Sequence, residues 1–239
     1  MDYLVVIPAR YQSSRFPGKP LADIHGKSMI RYVWEKCVEA ASADVVLIAT
    51  DDNRIVDHCK RHDMQVELTS NTCLTGTDRL YEVAQNRKAH VYINVQGDEP
   101  LVSSADIKTV IQASQQTPGL TFNAMCSIKN ENEFRSLNVP KVVTRLDGRL
   151  LYMSRAPIPN NKTNDFKWGK KQVCIIAFPR DVLLEFGSYS KKSPLETVED
   201  LEMLRLLEIG HEVQMINVSS SSIAVDTPED LDRVRELVK

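Results

Sequence analysis

The feature that most constrains this chain is a rhythm. Short runs of apolar, often β-branched residues alternate with longer stretches of helical spacing. Leu4–Pro8, Val45–Thr50, Val66–Leu68, Val91–Gln96 and Thr121–Ser127 read as strands. Between them, Met29–Ala41, a stretch near Asn53–His62, Asp78–Asn86 and Ala105–Gln116 read as helices. Ile30, Val33, Trp34 and Cys37 fall on one face of the first helix. Runs that are apolar throughout, rather than alternating, belong to strands buried on both faces. The pattern predicts an α/β fold of three layers, a mainly parallel sheet with helices on both sides.

Beyond about residue 128 the rhythm becomes irregular. Val139–Thr144 and Leu150–Met153 flank Asp147-Gly148, a hairpin-turn pair. Asn160–Lys171 is polar and reads as a loop. Gln172–Phe178 reads as a strand, Val198–Glu208 as a helix with Leu201, Leu204 and Leu207 on its apolar side, and Glu212–Val218 as a strand. A closing helix over Thr227–Val238 is announced by a Thr227 cap and Pro228 at its first position. A chain of 239 residues is long enough for one such domain. We therefore expect a single domain over 1–239, with a segment at about 130–210 inserted into its core.

The net charge of −2 gives no electrostatic case for nucleic acid or an anionic membrane, so an anion site must be a local cluster. No run reaches the roughly 18 apolar residues of a membrane span. Five widely spaced cysteines without a CxxC argue against a disulfide framework or structural zinc. The cytoplasm is the expected compartment.

Ligands of open parallel sheets bind at the carboxyl ends of the strands. The loop leaving the first strand there holds Pro8, Ala9, Arg10, Ser13, Ser14, Arg15 and Lys19. Three cations in ten residues, with serines and a glycine, can surround a triphosphate with charge and donors. Neither a Walker A nor a GxGxxG pattern is present. The strand over Val91–Gln96 runs out into Gln96-Gly97-Asp98, and Asp226 follows a later apolar run. Two carboxylates at strand ends suit Mg²⁺ facing phosphates. Thr75, Gly76, Thr77 and Arg79, at a helix start, offer groups that could read a base. His58 and His62 share an i, i+4 face, which reads as a solvated surface rather than a metal site.

These motifs resemble a known family. IPARYQSSRFPGKPLADIHGKSMI from Ile7, ATD at 49–51, TGTDRL at 75–80, NVQGDEP at 94–100, YMSRAPIP at 152–159, SPLETVEDLEMLR at 193–205 and VDTPEDLDRV at 225–234 look like the 3-deoxy-manno-octulosonate (KDO) cytidylyltransferases. The resemblance covers nearly the whole chain. It implies a Rossmann-like nucleotidyltransferase core, and a homodimer formed through the later segment. It implies CTP and an acidic sugar as substrates, with Mg²⁺ as cofactor. Arg10, Ser14, Arg15 and Lys19 would bind the CTP phosphates. Asp51, Thr75, Thr77 and Arg79 would contact the nucleotide. Gln96 would contact the acceptor or nucleotide, Asp98 and Asp226 would hold the metal, and Arg155, Glu199 and Glu202 would lie around the acceptor.

The acceptor half departs from the family pattern. Where the family has a His-Xaa-Gly-Xaa-Tyr strand, this chain reads Gln172-Val173-Cys174-Ile175-Ile176, and a Glu-Gln pair becomes Glu202-Met203. Placing Gln172, Ile176 and Met203 in the acceptor pocket leads to an expectation of weak use of KDO itself. An altered ulosonic acid such as amino-KDO would then be preferred. An inactive nucleotide-binding paralogue is the remaining alternative. Retention of Arg15, Lys19, Asp98 and Asp226 counts against it.

Overall fold

The computed structural model describes residues 1–13, 15–219 and 222–238. In chain order the first half comprises β1 (Tyr3–Ala9), β2 (Asp23–Ile24), β3 (Lys27–Ser28), α1 (Met29–Ala40), β4 (Val46–Thr50), α2 (Asn53–Arg61), β5 (Val66–Leu68), α3 (Gly76–Asn86), β6 (Val91–Val95), α4 (Ser104–Gln116) and β7 (Thr121–Ser127). The second half comprises α5 (Glu131–Arg135), β8 (Lys141–Thr144), β9 (Leu150–Ser154), β10 (Lys170–Pro179), α6 (Arg180–Ser188), α7 (Pro194–Glu199), α8 (Met203–Glu208), β11 (Val213–Asn217) and α9 (Pro228–Leu237).

The main sheet runs β11-β7-β10-β6-β1-β4-β5, with the β8-β9 hairpin attached through β10. β1 pairs in parallel with both β4 and β6, and β4 with β5. β10 lies antiparallel between β6 and β7. Strand residues alternate between two buried layers. Val5 and Ile7 pack with α1, α2 and α4, whereas Leu4 and Val6 pack with α3, α6 and α8. Burial on both faces is the reason these strands carry unbroken apolar runs. Among the described residues, no helix is long and apolar enough to cross a membrane.

The stretch at about 130–210 contributes β10 to the middle of the sheet and α6 against α3. α6 itself is marked in the sequence by Val182, Leu183 and Phe186, all buried on one side. The helix expected over Val198–Glu208 is two short helices broken at Asp200, which adopts a left-handed conformation (φ 52°). Tertiary contacts outweigh helix continuity here. The Glu199 carboxylate accepts from the Ser154 hydroxyl and the Arg155 amide, while the Arg155 guanidinium donates to the carbonyls of Glu199 and Asp200. The polar loop also ends earlier than expected, since Lys170 and Lys171 already belong to β10.

Candidate active site

The loop after β1 is folded back on itself. The Gly18 amide donates to the Tyr11 carbonyl at 2.8 Å, and Gly18 has a φ of 74°, a conformation that favours glycine. Arg54 of α2 stacks on the Tyr11 ring at 3.3 Å. This fold returns Lys19 to the strand ends. Its ammonium donates to Asp98 Oδ2 at 2.6 Å, the Val225 carbonyl at 2.9 Å and Asp226 Oδ1 at 3.3 Å. Arg15 reaches the same Asp226 oxygen at 3.1 Å. Asp98 can stand there because Gly97 lets the exit of β6 approach β1. A Cβ at Gly97 would lie 2.8 Å from the Pro8 carbonyl oxygen. Beside Asp98, burial and the neighbouring charge of Asp98 push the Glu99 carboxyl up to about 7.

These groups open into a cavity of about 330 Å³ at the carboxyl ends of β1 and β6. Of the residues expected from sequence, Pro8, Ala9, Arg10, Ser13, Arg15, Lys19, Thr75, Gly76, Arg79, Gln96, Asp98, Glu202 and Asp226 line it. Glu202 closes its far wall. Its carboxylate accepts from the Gly76 amide at 3.2 Å and from the Thr77 hydroxyl, and burial raises its pKa. Thr77 thus supports the wall from behind, fully buried. Arg79 is also mostly hidden, held by Asp51 at 2.9 Å and by the Ser70 carbonyl. Asp51 therefore acts on the cavity only through Arg79. Ser14 lies outside the described residues.

Several acceptor candidates are elsewhere. Ile176 and Met203 are 2% and 1% exposed and belong to the apolar layer shared with α3 and α6. The Gln172 side chain donates to Asn123 Oδ1 across the β10-β7 pair. Arg155 and Glu199 bond to one another's segments at the α7-α8 break and do not line the cavity. The expectation of an altered acceptor pocket rested on Gln172, Ile176 and Met203, and none of the three lines this cavity. Ile176 and Met203 lie in the core, where a phenol or an amide would need partners from the interior. Lys192, Glu196 and Asp200 line the cavity but were not expected. Local periodicity does not place them, because contacts between distant segments hold this stretch, such as that of Arg205 with Glu196 and Asp78.

The paired carboxylates fit a divalent cation. Both are within reach of one ammonium at the mouth of a cavity rich in cations. Mg²⁺ is commonly held by one or two carboxylates completed by substrate phosphates. Among the described residues there is no group of three or more His, Cys, Asp or Glu side chains suited to an all-protein metal cage.

A Rossmann-like sheet with a basic strand-exit loop facing two carboxylates defines the chain as a nucleotidyltransferase. The profile of the family described as Cytidylyltransferase matches residues 4–216. A 3-deoxy-manno-octulosonate cytidylyltransferase from Geobacter metallireducens is 43% identical, over 99% of this chain and 97% of its own length. One from Escherichia coli is 38% identical, over 98% and 95%. The structure of CMP:2-keto-3-deoxy-manno-octonic acid synthetase complexed with CTP superposes with a TM-score of 0.92 at 38% identity, covering 99% of this chain and 98% of that one. The chain belongs to the cytidylyltransferase family.

Proposed function

We propose that the enzyme transfers CMP from CTP to the anomeric hydroxyl of KDO, releasing pyrophosphate. The observation that carries this reading is the convergence of Lys19 and Arg15 on Asp98 and Asp226 at the strand exits. The acceptor oxygen forms a bond to the α-phosphorus in line with the bond that breaks to the β-phosphate, and the hydroxyl proton is lost. No covalent enzyme intermediate is needed. Arg15 and Lys19 stabilise charge on the departing pyrophosphate. Arg10 and Ser13 border the phosphate path, while the wall of Thr75, Gly76 and Gln96 borders the nucleotide. Mg²⁺ held by Asp98 and Asp226 would draw negative charge from the phosphates. Positioning and electrostatics supply most of the rate in such transfers. With Ile176 and Met203 assigned to the core, no observation favours a modified acceptor over KDO.

The test is direct. With Mg²⁺ present, CTP at 100 times its Kd should stabilise the fold by about 2.7 kcal/mol, read as a rise in melting temperature. ATP and GTP should do so far less. Pyrophosphate release should then require both CTP and KDO. Equal stabilisation by ATP, or no release with KDO, removes the reading.

A cytoplasmic homodimer completes the proposal. Leu151 on β9 and Leu195 and Val198 on α7 are exposed, and these two elements adjoin through the bonds from Tyr152 and Ser154 to Glu199. Sedimentation at micromolar concentration should show a dimer, and Val198→Glu should shift it to monomer. A parent that sediments as a monomer rejects the dimer.

A further inference from the structure

We propose that Lys192 is an acceptor-specificity residue, whose ammonium takes the carboxylate of the acid acceptor. This deepens the function proposed above and rests on it. An acidic sugar brings a fixed negative charge, and the cavity must supply a cation that the phosphates do not consume. Arg155 is not that cation. Its guanidinium is spent on the carbonyls of Leu137, Glu199 and Asp200, and Arg155 itself does not line the cavity. Arg79 is buried against Asp51. Arg15 and Lys19 sit at the carboxylate pair, and Arg10 belongs to the same strand-exit loop. Lys192 alone among the cations lining the cavity comes from the other side, on the connection between α6 and α7.

What Lys192 holds is informative. Its ammonium donates to Asp200 Oδ1. The other Asp200 oxygen is 3.8 Å from Arg155. The hydrogen bond from Lys192, and then the charges of Lys192, Arg155 and Arg10, hold the Asp200 carboxyl below its ordinary value. This wall of the cavity therefore already stabilises a carboxylate. Asp200 is 68% exposed and Lys192 28%, so the pair is partly solvated. Exposed pairs of this kind are weak, on the order of 0–1 kcal/mol. A ligand carboxylate can take the place of Asp200 on the ammonium at little cost. Glu202 lies on the same wall, and there its carboxyl can meet acceptor hydroxyls.

The experiment compares the parent, Lys192→Met and Lys192→Arg, with KDO and with its carboxamide, in which the negative charge is gone. Loss of a charge-assisted hydrogen bond predicts a KM for KDO raised ~10-fold or more in Lys192→Met. kcat and the KM for CTP should stay within about 3-fold of the parent, below the tenfold that marks a lost charged contact. Lys192→Arg should recover most of the loss. The carboxamide should be used poorly by the parent and no worse by Lys192→Met. An unmoved KM for KDO overturns the proposal, as does a rise in the KM for CTP, which would assign Lys192 to the triphosphate. A parent that turns over no acidic sugar with CTP removes the functional reading itself. A parent that does so, with Lys192→Met unchanged, removes Lys192 alone.

Discussion

Asp98→Asn should lower turnover by at least ~10²-fold at saturating CTP, acceptor and Mg²⁺, the scale of losing one key electrostatic group at a reacting phosphate. The substitution keeps the shape of the side chain and removes one negative charge from the carboxylate pair that Lys19 bridges. Lys19 keeps the Val225 carbonyl and Asp226 as partners, so the loop after β1 should hold its place. Asp98 lies outside both apolar layers, and the melting temperature should therefore change little. Asp226→Asn should behave in the same way, although Arg15 would lose its ion pair as well. Steady-state rates across a Mg²⁺ titration are the measurement. Near-normal turnover at saturating Mg²⁺ in either variant would take that residue out of the metal site.

The second large effect is on stability. Arg205 is fully buried. Its guanidinium binds Glu196 at 2.6 and 2.7 Å through two nitrogens, Asp78 at 2.8 Å and the Phe186 carbonyl at 3.3 Å, and it lies over the Phe186 ring at 3.8 Å. One side chain thereby ties α8 to α7, α3 and α6. It also fixes both sides of the cavity wall, because Asp78 accepts from the Thr75 hydroxyl and the Glu196-to-Glu202 stretch carries the Gly76 contact. Arg205→Met would leave Glu196 and Asp78 without their cation. Breaking a buried pair by removing one partner costs about 3–5 kcal/mol. For a chain of this size that corresponds to a melting temperature lower by roughly 6–20 °C. Denaturant unfolding gives the free energy directly. Adding Glu196→Gln should restore part of it, because the burden is the stranded charge as much as the lost bonds. A loss under about 1 kcal/mol would show the network to be dispensable, well short of the cost of a stranded buried charge.

Much of the molecule was legible in one dimension. Strands β5 and β7 have the bounds expected of them, and most other elements of the first half lie within a residue or two, because burial on both faces writes an unbroken apolar run into each strand. The strand-exit half of the candidate site was equally accessible. Arg10, Arg15 and Lys19 lie in the loop that leaves β1 and Asp98 stands just beyond β6, and the exits of these two parallel strands face the same edge. Asp226 was readable for a different reason, since it stands just before a helix start marked by the Thr227 cap and Pro228.

The acceptor side was decided by tertiary structure. From sequence, Ile176 and Met203 could be aligned to a pocket but not aimed at one. The register of β10 between β6 and β7 turns Ile176 into the apolar layer, and the break at Asp200 turns Met203 the same way. That break is not encoded by any local stop signal. At the break, Ser154 and Arg155, more than forty residues earlier, bind Glu199 and Asp200. The same contacts hold Arg155 outside the cavity lining, while Lys192 stands on the wall bonded to Asp200 and Glu202 stands there bonded to Gly76 and Thr77. Periodicity and strand exits are properties of neighbouring residues, and so the sequence by itself determined the sheet and the basic loop after β1. Which cation meets the acceptor depends on contacts between distant segments, and only the folded chain decides those.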